Sequence, residues 1–497
     1  MNIADPSPAL LAASPVGTAL AVNVTHKFGG SSLADAARIR HVAGLVRARA
    51  EALQVVVVSA MQGVTDALLN LADAAAQNLP QWREKLEVLR RRHLDTAREL
   101  LGDDAAVAGE WLGARFDELA DVLHAISVLR GAGLGVAEAT SGNGEIWSAY
   151  LLHALLRAEG ADYALLDARE VLVVRHEELG VAVDWDTTQG HLDAWRRENP
   201  QPRVVVTGYV ARDAEGRDTV LGRNGSDYSG AIFAALFKSQ ELHIWTDVDG
   251  VLSADPRIEP EAVTLAAMSY NEACELAYFG AKVIHPQTMA PAISRGLPIL
   301  IRNTFKPTHP GTRIDANGDA SGPVKGLTLA HGLALLNVEG TGMIGVPGTA
   351  ERGFAALRAA RVSVVMISQG SSEHSICCVV KLAEVDTARA ALDGAFAREL
   401  AAGQISGVSV SRDISVLAVV GDRMAGVPGV AARLFDALAR SHVNIRAIAQ
   451  GASERNISVA IARDQATLAL RAAHAAFWLS PQTLSLGVIG PDRKSVV

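Results

Sequence analysis

An internal repeat in the last third of the chain constrains its fold most strongly. Placing residue n over residue n + 81 aligns G-V-P-G at 345–348 with the same letters at 426–429, and Q-G-S-S-E at 369–373 with Q-G-A-S-E at 450–454. One register kept over such a span indicates a duplication. Each copy is predicted to form a βαββαβ unit with a hairpin around the Q-G turn. Two such units could enclose a small-molecule site between them, or form a structural or oligomerising pair without a ligand.

Composition excludes several classes of protein. The 497 residues suffice for about three domains. The net charge is −8 and there is no basic block, so we expect no nucleic-acid partner. No window reaches about 18 uninterrupted apolar residues, so we expect no membrane span. The three cysteines show no metal-ligand spacing, which favours a reducing cytoplasm. Residues 1–21 lack a basic start and are interpreted as a loose tail, not a signal peptide.

The first two thirds of the chain alternate strand and helix patterns, which predicts an α/β domain. The run V-V-V-V at 55–58 is typical of a strand buried on both faces of a parallel sheet. K-F-G-G-S-S at 27–32 joins a strand to a helix and could cradle phosphates on backbone N–H groups, with Lys27 reaching a terminal phosphate. S-A-M-Q-G-V-T-D at 59–66 follows the next strand, and ligands collect at such strand ends. Alternatively, Lys27 is a surface lysine before an ordinary turn.

Two further polar turns precede predicted helices. G-N-G-E-I-W-S at 142–148 places Glu145 at a helix start, where it either caps the helix or serves a function. V-L-G-R-N-G-S-D-Y at 220–228 contains Arg223, whose guanidinium can pair with a carboxylate through two hydrogen bonds. Asp227 in the same stretch would lie near a bound phosphate or metal, or alternatively cap the following helix.

Two stretches later in the chain add charged groups. T-D-V-D-G-V-L-S-A-D-P-R at 246–257 is a long polar loop after a predicted strand, which suits a nucleotide or its metal. A-K-V-I-H-P at 281–286 adds a second lysine, Lys282. Two lysines near one proposed phosphate site favour function more strongly than one.

Together these six motifs resemble the aspartate kinases of the amino acid kinase superfamily, in the order and approximate spacing of that family. The repeat resembles the family's paired ACT regulatory domains, and the resemblance covers about residues 22–490. Within the family, the chain is most similar to the kinase half of the bifunctional aspartokinase/homoserine dehydrogenases. L-S-L-G-V-I-G-P at 484–491 resembles the first strand of a dehydrogenase Rossmann unit, or it completes the second ACT sheet. We expect no homoserine dehydrogenase domain in this chain.

The resemblance implies an α/β amino acid kinase fold, an open and mainly parallel sheet sandwiched by helices, followed by two α+β ACT domains. The predicted boundaries are an N-terminal tail at 1–21, the kinase domain at 22–314, a linker at 315–330, ACT domains at 331–411 and 412–490, and a C-terminal tail at 491–497.

The resemblance also implies the activity, namely transfer of a phosphoryl group from ATP to the side-chain carboxylate of L-aspartate. The products would be 4-phospho-L-aspartate and ADP, in the first step of lysine, threonine and methionine biosynthesis. Magnesium would be held mainly through ATP and not by protein ligands. An end-product amino acid would inhibit at the ACT domains, with threonine favoured and lysine second. A homodimer or homotetramer through the ACT domains is expected.

The family's functional residues carry over motif by motif. The implied catalytic residues are Lys27, Lys282 and Asp227. ATP would contact Lys27, Gly29, Gly30, Ser31, Ser59, Thr246, Asp247, Asp255, Arg257 and Lys282. Aspartate would contact Thr65, Glu145, Arg223 and Ser226. The candidate effector ligands are Gln369, Asn444 and Gln450.

Two other functions are compatible with parts of this pattern. Another carboxylate or carbamate kinase of the superfamily would share the phosphate site, but such enzymes seldom carry tandem ACT domains or the motifs of Glu145 and Arg223. A non-catalytic amino-acid sensor would keep the kinase fold only for its ACT pair. The intact lysines and Arg223 argue against a sensor.

Overall fold

The computed structural model describes residues 22–131, 133–177, 180–222, 224–280, 286–319, 322–370 and 374–478. Strands and helices are numbered along the chain. Within these ranges the main sheet has eight strands: β1 (Asn23–Phe28), β2 (Leu53–Val58), β3 (Ala164–Leu166), β6 (Arg203–Thr207), β9 (Glu241–Thr246), β10 (Ala267–Ser269), β11 (Ile299–Asn303) and β12 (Thr312–Asp315). Their spatial order is β10-β12-β11-β9-β1-β2-β6-β3. The six strands from β11 to β3 in that order are parallel, which confirms the predicted sheet.

Helices cover both faces of the main sheet. The helices of this part are α1 (Ala36–Arg47), α2 (Val64–Ala76), α3 (Gln81–Leu101), α4 (Ala105–Leu129), α5 (Leu134–Ser141), α6 (Asn143–Ala158), α7 (Trp185–Glu198), α8 (Gly225–Leu236), α9 (Tyr270–Tyr278) and α10 (Pro286–Ser294). Val56 and Val58 pack into the core formed with α1 to α4 and α6, whereas Val55 and Val57 pack into the core formed with α8. All four valines are fully buried, as the V-V-V-V run predicts.

The chain continues from the end of β6 into a second, smaller sheet. It contains β4 (Val173–Glu177), β5 (Gly180–Val183), β7 (Val210–Asp213) and β8 (Asp218–Val220), in the order β5-β4-β7-β8. The chain departs at Gly208, whose N–H donates to the Val58 carbonyl oxygen at 2.9 Å, and at Tyr209, whose φ is +67°. Strand β4, around Val173, therefore belongs to this small sheet and not to the main one.

The duplicated part forms one antiparallel sheet of six strands within the described residues. These are β13 (Gly326–Glu339), β14 (Val364–Gln369), β15 (Ser375–Lys381), β16 (Gly407–Val420), β17 (Ile445–Ala449) and β18 (Asn456–Ala462), in the order β14-β15-β13-β16-β18-β17. Its helices are α11 (Thr349–Ala359), α12 (Val385–Ala395), α13 (Ala397–Ala401), α14 (Val430–Arg440) and α15 (Ala466–Trp478). Within the described residues, the first copy follows the predicted order βαββαβ and the second copy follows it as far as its second helix, α15.

The two long strands β13 and β16 are each shared between the copies. Unit 1, the first copy, consists of β14, β15, the second half of β13 and the first half of β16. Unit 2, the second copy, consists of β17, β18, the second half of β16 and the first half of β13. Residues 326–330 pair with 416–420 and so supply one of the four strands of unit 2, the first of them along the chain.

This pairing corrects the predicted linker at its C-terminal end. Residues 326–330 are part of strand β13 and not of a linker. The Gly- and Asp-rich composition that indicates a linker ends earlier, at residue 322. In unit 2 these residues pair with β16, just as residues 407–411 pair with β13 in unit 1. Residues 484–491, the candidate for completing the second ACT sheet, lie outside the described residues, as do the predicted tails. No helix in the described part of the chain combines the length and apolarity that crossing a bilayer requires.

Candidate active site

Loops from distant parts of the sequence meet where the parallel strands of the main sheet end. The Gly29 N–H donates to the Trp245 carbonyl oxygen at 3.3 Å, and the Ser59 N–H donates to the Phe28 carbonyl oxygen at 3.1 Å. The Thr304 N–H, just after β11, donates to the Thr246 carbonyl oxygen at 2.8 Å. These hydrogen bonds join the C-terminal ends of β1, β2, β9 and β11 at one edge of the main sheet. Strand β1 lies between β2 and β9, and ligands of open α/β sheets bind at such an edge.

The glycine turn after β1 fits closely under the loop after β2. A methyl group on Gly30 would lie 3.0 Å from the Ala60 carbonyl oxygen, so a larger residue would push the two loops apart. A methyl group on Gly29 would lie 3.7 Å from Lys27 Nζ, so glycine leaves space beside the ammonium. Ser31 lies in the short 3-10 helix that follows. The turn has the glycines and the lysine that a phosphate site requires.

Lys27 and Asp227 form an ion pair at this edge. Lys27 is 6% exposed and its Nζ contacts Asp227 Oδ1. Helix α8 can lie directly on the lysine stem because it carries Gly230, where a methyl group would be 3.0 Å from Lys27 Cβ. Asp227 is in the first turn of α8, but the N-cap residue is Asn224, so the alternative prediction that Asp227 caps the helix is wrong. The carboxylate instead holds the ammonium at the positive end of the helix.

Among the described residues, Glu145 is the most deeply buried carboxyl group near Lys27. It lies in the first turn of α6, is 2% exposed, and its Oε2 has no hydrogen-bond partner in the described part of the chain. Helix α6 approaches the loop after β2 this closely because residue 144 is glycine, where a methyl group would be 2.7 Å from Ala60 Cβ. Burial raises the pKa of Glu145 to about 8, against the lowering effects of hydrogen bonds from Ala60 and Ser59 and of the Lys27 charge. A buried carboxyl oxygen without a partner is costly, so Oε2 indicates a ligand with a hydrogen-bond donor or positive charge.

Tyr209 is a site residue that sequence reasoning missed. Its hydroxyl accepts from Ser141 Oγ at 3.2 Å, its N–H donates to Ser229 Oγ at 2.8 Å, and a methyl group on Gly225 would lie 2.5 Å from its ring. Burial raises the pKa of the Tyr209 hydroxyl, and the Glu145 charge adds to that effect. The only local signal is a tyrosine directly after T-G at a strand end.

The other predicted ligands fall into three groups. Ser226 lies against the end of β6, since a methyl group on Gly208 would be 3.2 Å from its Cβ, and Thr65 lies in the first turn of α2. Thr246 ends β9 and its hydroxyl donates to Asp247 Oδ1 at 3.2 Å. Arg223 and Lys282 lie outside the described residues.

Asp255 and Arg257 lie in a long loop at 250–265 that contacts unit 2. Arg257 pairs with Asp255 at 2.6 Å. In the same loop the Ser253 carbonyl oxygen accepts from the Leu327 N–H at 2.8 Å. This arrangement places the two residues near the first strand of unit 2. Closer to the β9 edge, Asp249 accepts from Asn303 Nδ2 at 2.6 Å and from Lys306 Nζ at 2.8 Å, which sequence reasoning also missed.

The candidate effector residues are exposed. Gln369 ends β14, and Gln450 follows β17. These two edge strands lie side by side, because Ser368 Oγ donates to the Ile448 carbonyl oxygen at 2.9 Å. The structure therefore brings the two glutamine positions to neighbouring strands. Asn444, also exposed, lies just before β17, and its N–H donates to Gln465 Oε1 at 3.3 Å.

Residues 24–303 match the sequence profile of the Amino acid kinase family, and residues 336–396 and 417–477 match that of the ACT domain. The chain belongs to the amino acid kinase family. It is 44% identical to the bifunctional aspartokinase/homoserine dehydrogenase 1, chloroplastic, of Zea mays over 94% of the chain and 51% of that protein. The chain thus spans about half the length of this relative.

Two aspartokinases match over most of their length. Aspartokinase 2, chloroplastic, of Arabidopsis thaliana is 30% identical over 93% of this chain and 85% of that protein, so within the family the chain groups with the aspartokinases. The crystal structure of Escherichia coli aspartokinase III with aspartate and ADP (R-state) matches with a TM-score of 0.77 at 26% identity, covering 91% of this chain and 99% of that one. The same enzyme with lysine and aspartate (T-state) matches with a TM-score of 0.72 at 26% identity, covering 92% and 99%.

Proposed function

We propose that this amino acid kinase phosphorylates the side-chain carboxylate of L-aspartate with ATP, giving 4-phospho-L-aspartate and ADP. The observation that carries the proposal is the placement of the buried Glu145 carboxyl beside the Lys27–Asp227 pair and the Gly29–Gly30 turn. A carboxyl with an unpaired oxygen suits the ammonium of an amino acid, and the glycine turn suits phosphate. The relatives named above support aspartate as that amino acid.

Substrate selection would combine opposite charges at two points. Glu145 would pair with the aspartate ammonium, and Arg223, assigned from the resemblance, would hold a carboxylate through two hydrogen bonds. Thr65 and Ser226 would supply hydroxyl donors. A site with both charges favours an amino acid that carries a second carboxylate.

Phosphoryl transfer would need little acid–base chemistry from the protein. The attacking carboxylate is already ionised at neutral pH, so the protein's task is to align the reactants and neutralise charge. Lys27 and Lys282 would neutralise the transferring phosphate, and a magnesium ion carried by ATP would neutralise the others. Asp227 would hold Lys27 in position and could approach the metal. Thr246, Asp247, Asp255 and Arg257 stay proposed nucleotide contacts.

Regulation is proposed at the paired ACT units. Threonine is the favoured effector because of the similarity to bifunctional aspartokinase/homoserine dehydrogenases, and lysine is second because the E. coli aspartokinase III complex contains it. Gln369, Asn444 and Gln450 are the proposed ligands, and the ACT units would also join chains into a homodimer or homotetramer. The three cysteines are free thiols, which is compatible with the expected cytoplasmic location.

A coupled assay of ADP release with a panel of amino acids tests the activity. Turnover with aspartate alone supports the proposal. Turnover with a different carboxylate would favour another kinase of the superfamily. No turnover with any amino acid would favour a non-catalytic sensor.

The protonation of Glu145 gives a sharper test of the substrate site. Its pKa of about 8 means that the free site is largely protonated at neutral pH, whereas an ammonium ligand needs the carboxylate. Affinity for aspartate should therefore rise as pH increases towards about 8, by up to about tenfold per unit. In Glu145→Gln, which cannot ionise, the KM for aspartate should be higher and this pH dependence should disappear. The KM for ATP is the control, and an unchanged aspartate pH profile in the variant would exclude Glu145 from the substrate site.

A further inference from the structure

A cavity of about 460 Å³ lies between helix α9 and the edge strands of both ACT units. Its apolar wall consists of Tyr278, Phe279, Val365, Met366, Ile367 and Ala449. The volume falls in the range of small-molecule sites, which are mostly apolar with a few polar groups that orient the ligand.

Three polar groups give this cavity a chemical preference. Glu275 Oε2 accepts from Asn456 Nδ2 at 2.5 Å, which fixes the carboxylate in place. Ser458 is 2% exposed, and its Oγ has no hydrogen-bond partner among the described residues. Glu275 is the one charged side chain among the described residues of the lining, so the cavity favours a cation over an anion.

We propose that this cavity binds a small primary amine with a short apolar chain. The ammonium would pair with Glu275, the Ser458 hydroxyl would accept one of its hydrogens, and the chain would lie against Met366 and Ala449. The ligand could be an apolar amino acid or the corresponding amine without a carboxylate, since both share the ammonium and the chain.

The cavity is distinct from the two sites already described. Its described lining does not include Gln369 or Gln450, although it includes Ile367 and Ala449 on the same two strands. The wall helix α9 leads through Gly280, at φ +118°, into residues 281–285, which include Lys282. Binding here can be measured whether or not the chain phosphorylates aspartate.

Isothermal titration of the full chain with isobutylamine, L-valine and isovalerate tests the proposal. The two amines should bind saturably and isovalerate should not. Equal affinity for isobutylamine and L-valine would identify recognition of the ammonium alone, whereas tighter binding of L-valine would identify an amino acid as the ligand. Binding of isovalerate as tight as that of the amines, or no saturable binding of either amine, would overturn the proposal.

Matched variants locate the binding. Glu275→Gln keeps a partner for Asn456 but removes the charge, and should weaken binding of isobutylamine about tenfold or more. Ser458→Ala should weaken it by a smaller factor, whereas Cys377→Ala, at the equivalent position of unit 1, should leave it unchanged. Ala449→Met should block binding by filling the cavity. Hydrogen exchange of α9 verifies that each variant keeps the native fold, and unchanged binding in both Glu275→Gln and Ala449→Met would overturn the proposal.

Discussion

The two ACT units share a sequence pattern but are attached to the kinase part in different ways. Unit 2 is joined to α9 by partly buried polar contacts: the Asp422 N–H donates to Glu272 Oε1 at 3.0 Å, and Ser269 Oγ donates to the Asp422 carboxylate. Unit 1 contacts the same helix through the Tyr278 hydroxyl, which lies 3.4 and 3.3 Å from the carbonyl oxygens of Val364 and Val365. The first set is charge-assisted and short, and the second is neutral and long.

The two copies of one fold therefore make different kinds of contact with the kinase part. Ser269 and Glu272 also form the capping box of α9, so unit 2 takes part in forming the start of that helix. At the other end of α9, the Phe279 carbonyl oxygen accepts from Thr328 Oγ1 in the first strand of unit 2 at 3.1 Å. Unit 2 thus makes hydrogen bonds at both ends of α9, and we expect unit 1 to be the copy more easily displaced from that helix.

Removing the Asp422 side chain should have the largest effect. In Asp422→Ala, Ser269 loses its acceptor and Arg455 loses a carboxylate that lies 3.1 Å from its Nε. We expect a loss of about 2 kcal/mol in the free energy of unfolding, with faster hydrogen exchange in α9. Thr341 occupies the equivalent position in unit 1, and Thr341→Ala should cost less than about 0.5 kcal/mol. Equal losses in urea unfolding would contradict the proposed difference between the units.

Asn456→Ala should have the second largest effect. Asn456 is the hydrogen-bond donor to Glu275, and its loss leaves a partly buried carboxylate without that partner. The expected cost is about 1.5 kcal/mol, again measured by urea unfolding. Ser375 is the equivalent residue in unit 1 and provides the control variant Ser375→Ala. The comparison fails if the unit 1 variant is the more destabilised of the two.

The difference between the units could not be predicted from the sequence. Local patterns predicted the buried strand at 55–58, the glycine turn after Lys27 and the duplication, because each depends on neighbouring residues. The contacts that join α9 to Asp422 link residues about 150 positions apart and leave no local signal. The same holds for the pairing of 326–330 with unit 2 and for the Lys27–Asp227 ion pair.

The candidate site was predicted unevenly for the same reason. Residue types with charge and glycine turns revealed Lys27, Glu145 and Asp227, and their meeting at one edge follows from the parallel sheet. Tyr209 was not predicted as a site residue, because its position depends on a left-handed backbone conformation at a non-glycine residue, which the sequence does not indicate. Gln369 and Gln450 were assigned from the resemblance to the family, and their roles stay predictions.

Substituting the paired glutamines should change inhibition without changing stability. Both are exposed, so Gln450→Ala should raise the threonine or lysine concentration for half-inhibition about fivefold, the effect of one neutral hydrogen bond, while uninhibited turnover stays near normal. Gln369→Ala tests whether unit 1 contributes equally. Inhibition curves that do not shift with either effector in either variant would remove the glutamines from the effector site.

The smallest effect is expected at the direct link between the two edge strands. Ser368 Oγ donates to the Ile448 carbonyl oxygen, and Ser368→Ala should cost about 0.5 kcal/mol or less because water can replace the donor at an exposed strand edge. The equivalent residue in unit 2 is Ala449, so this fold does not need a hydroxyl at that position, and Ala449→Ser is the matched control. Hydrogen exchange should quicken in β14 and β17 of Ser368→Ala while α9 keeps its protection. Quickened exchange in α9 would mean that unit 1 is attached to the kinase part as firmly as unit 2.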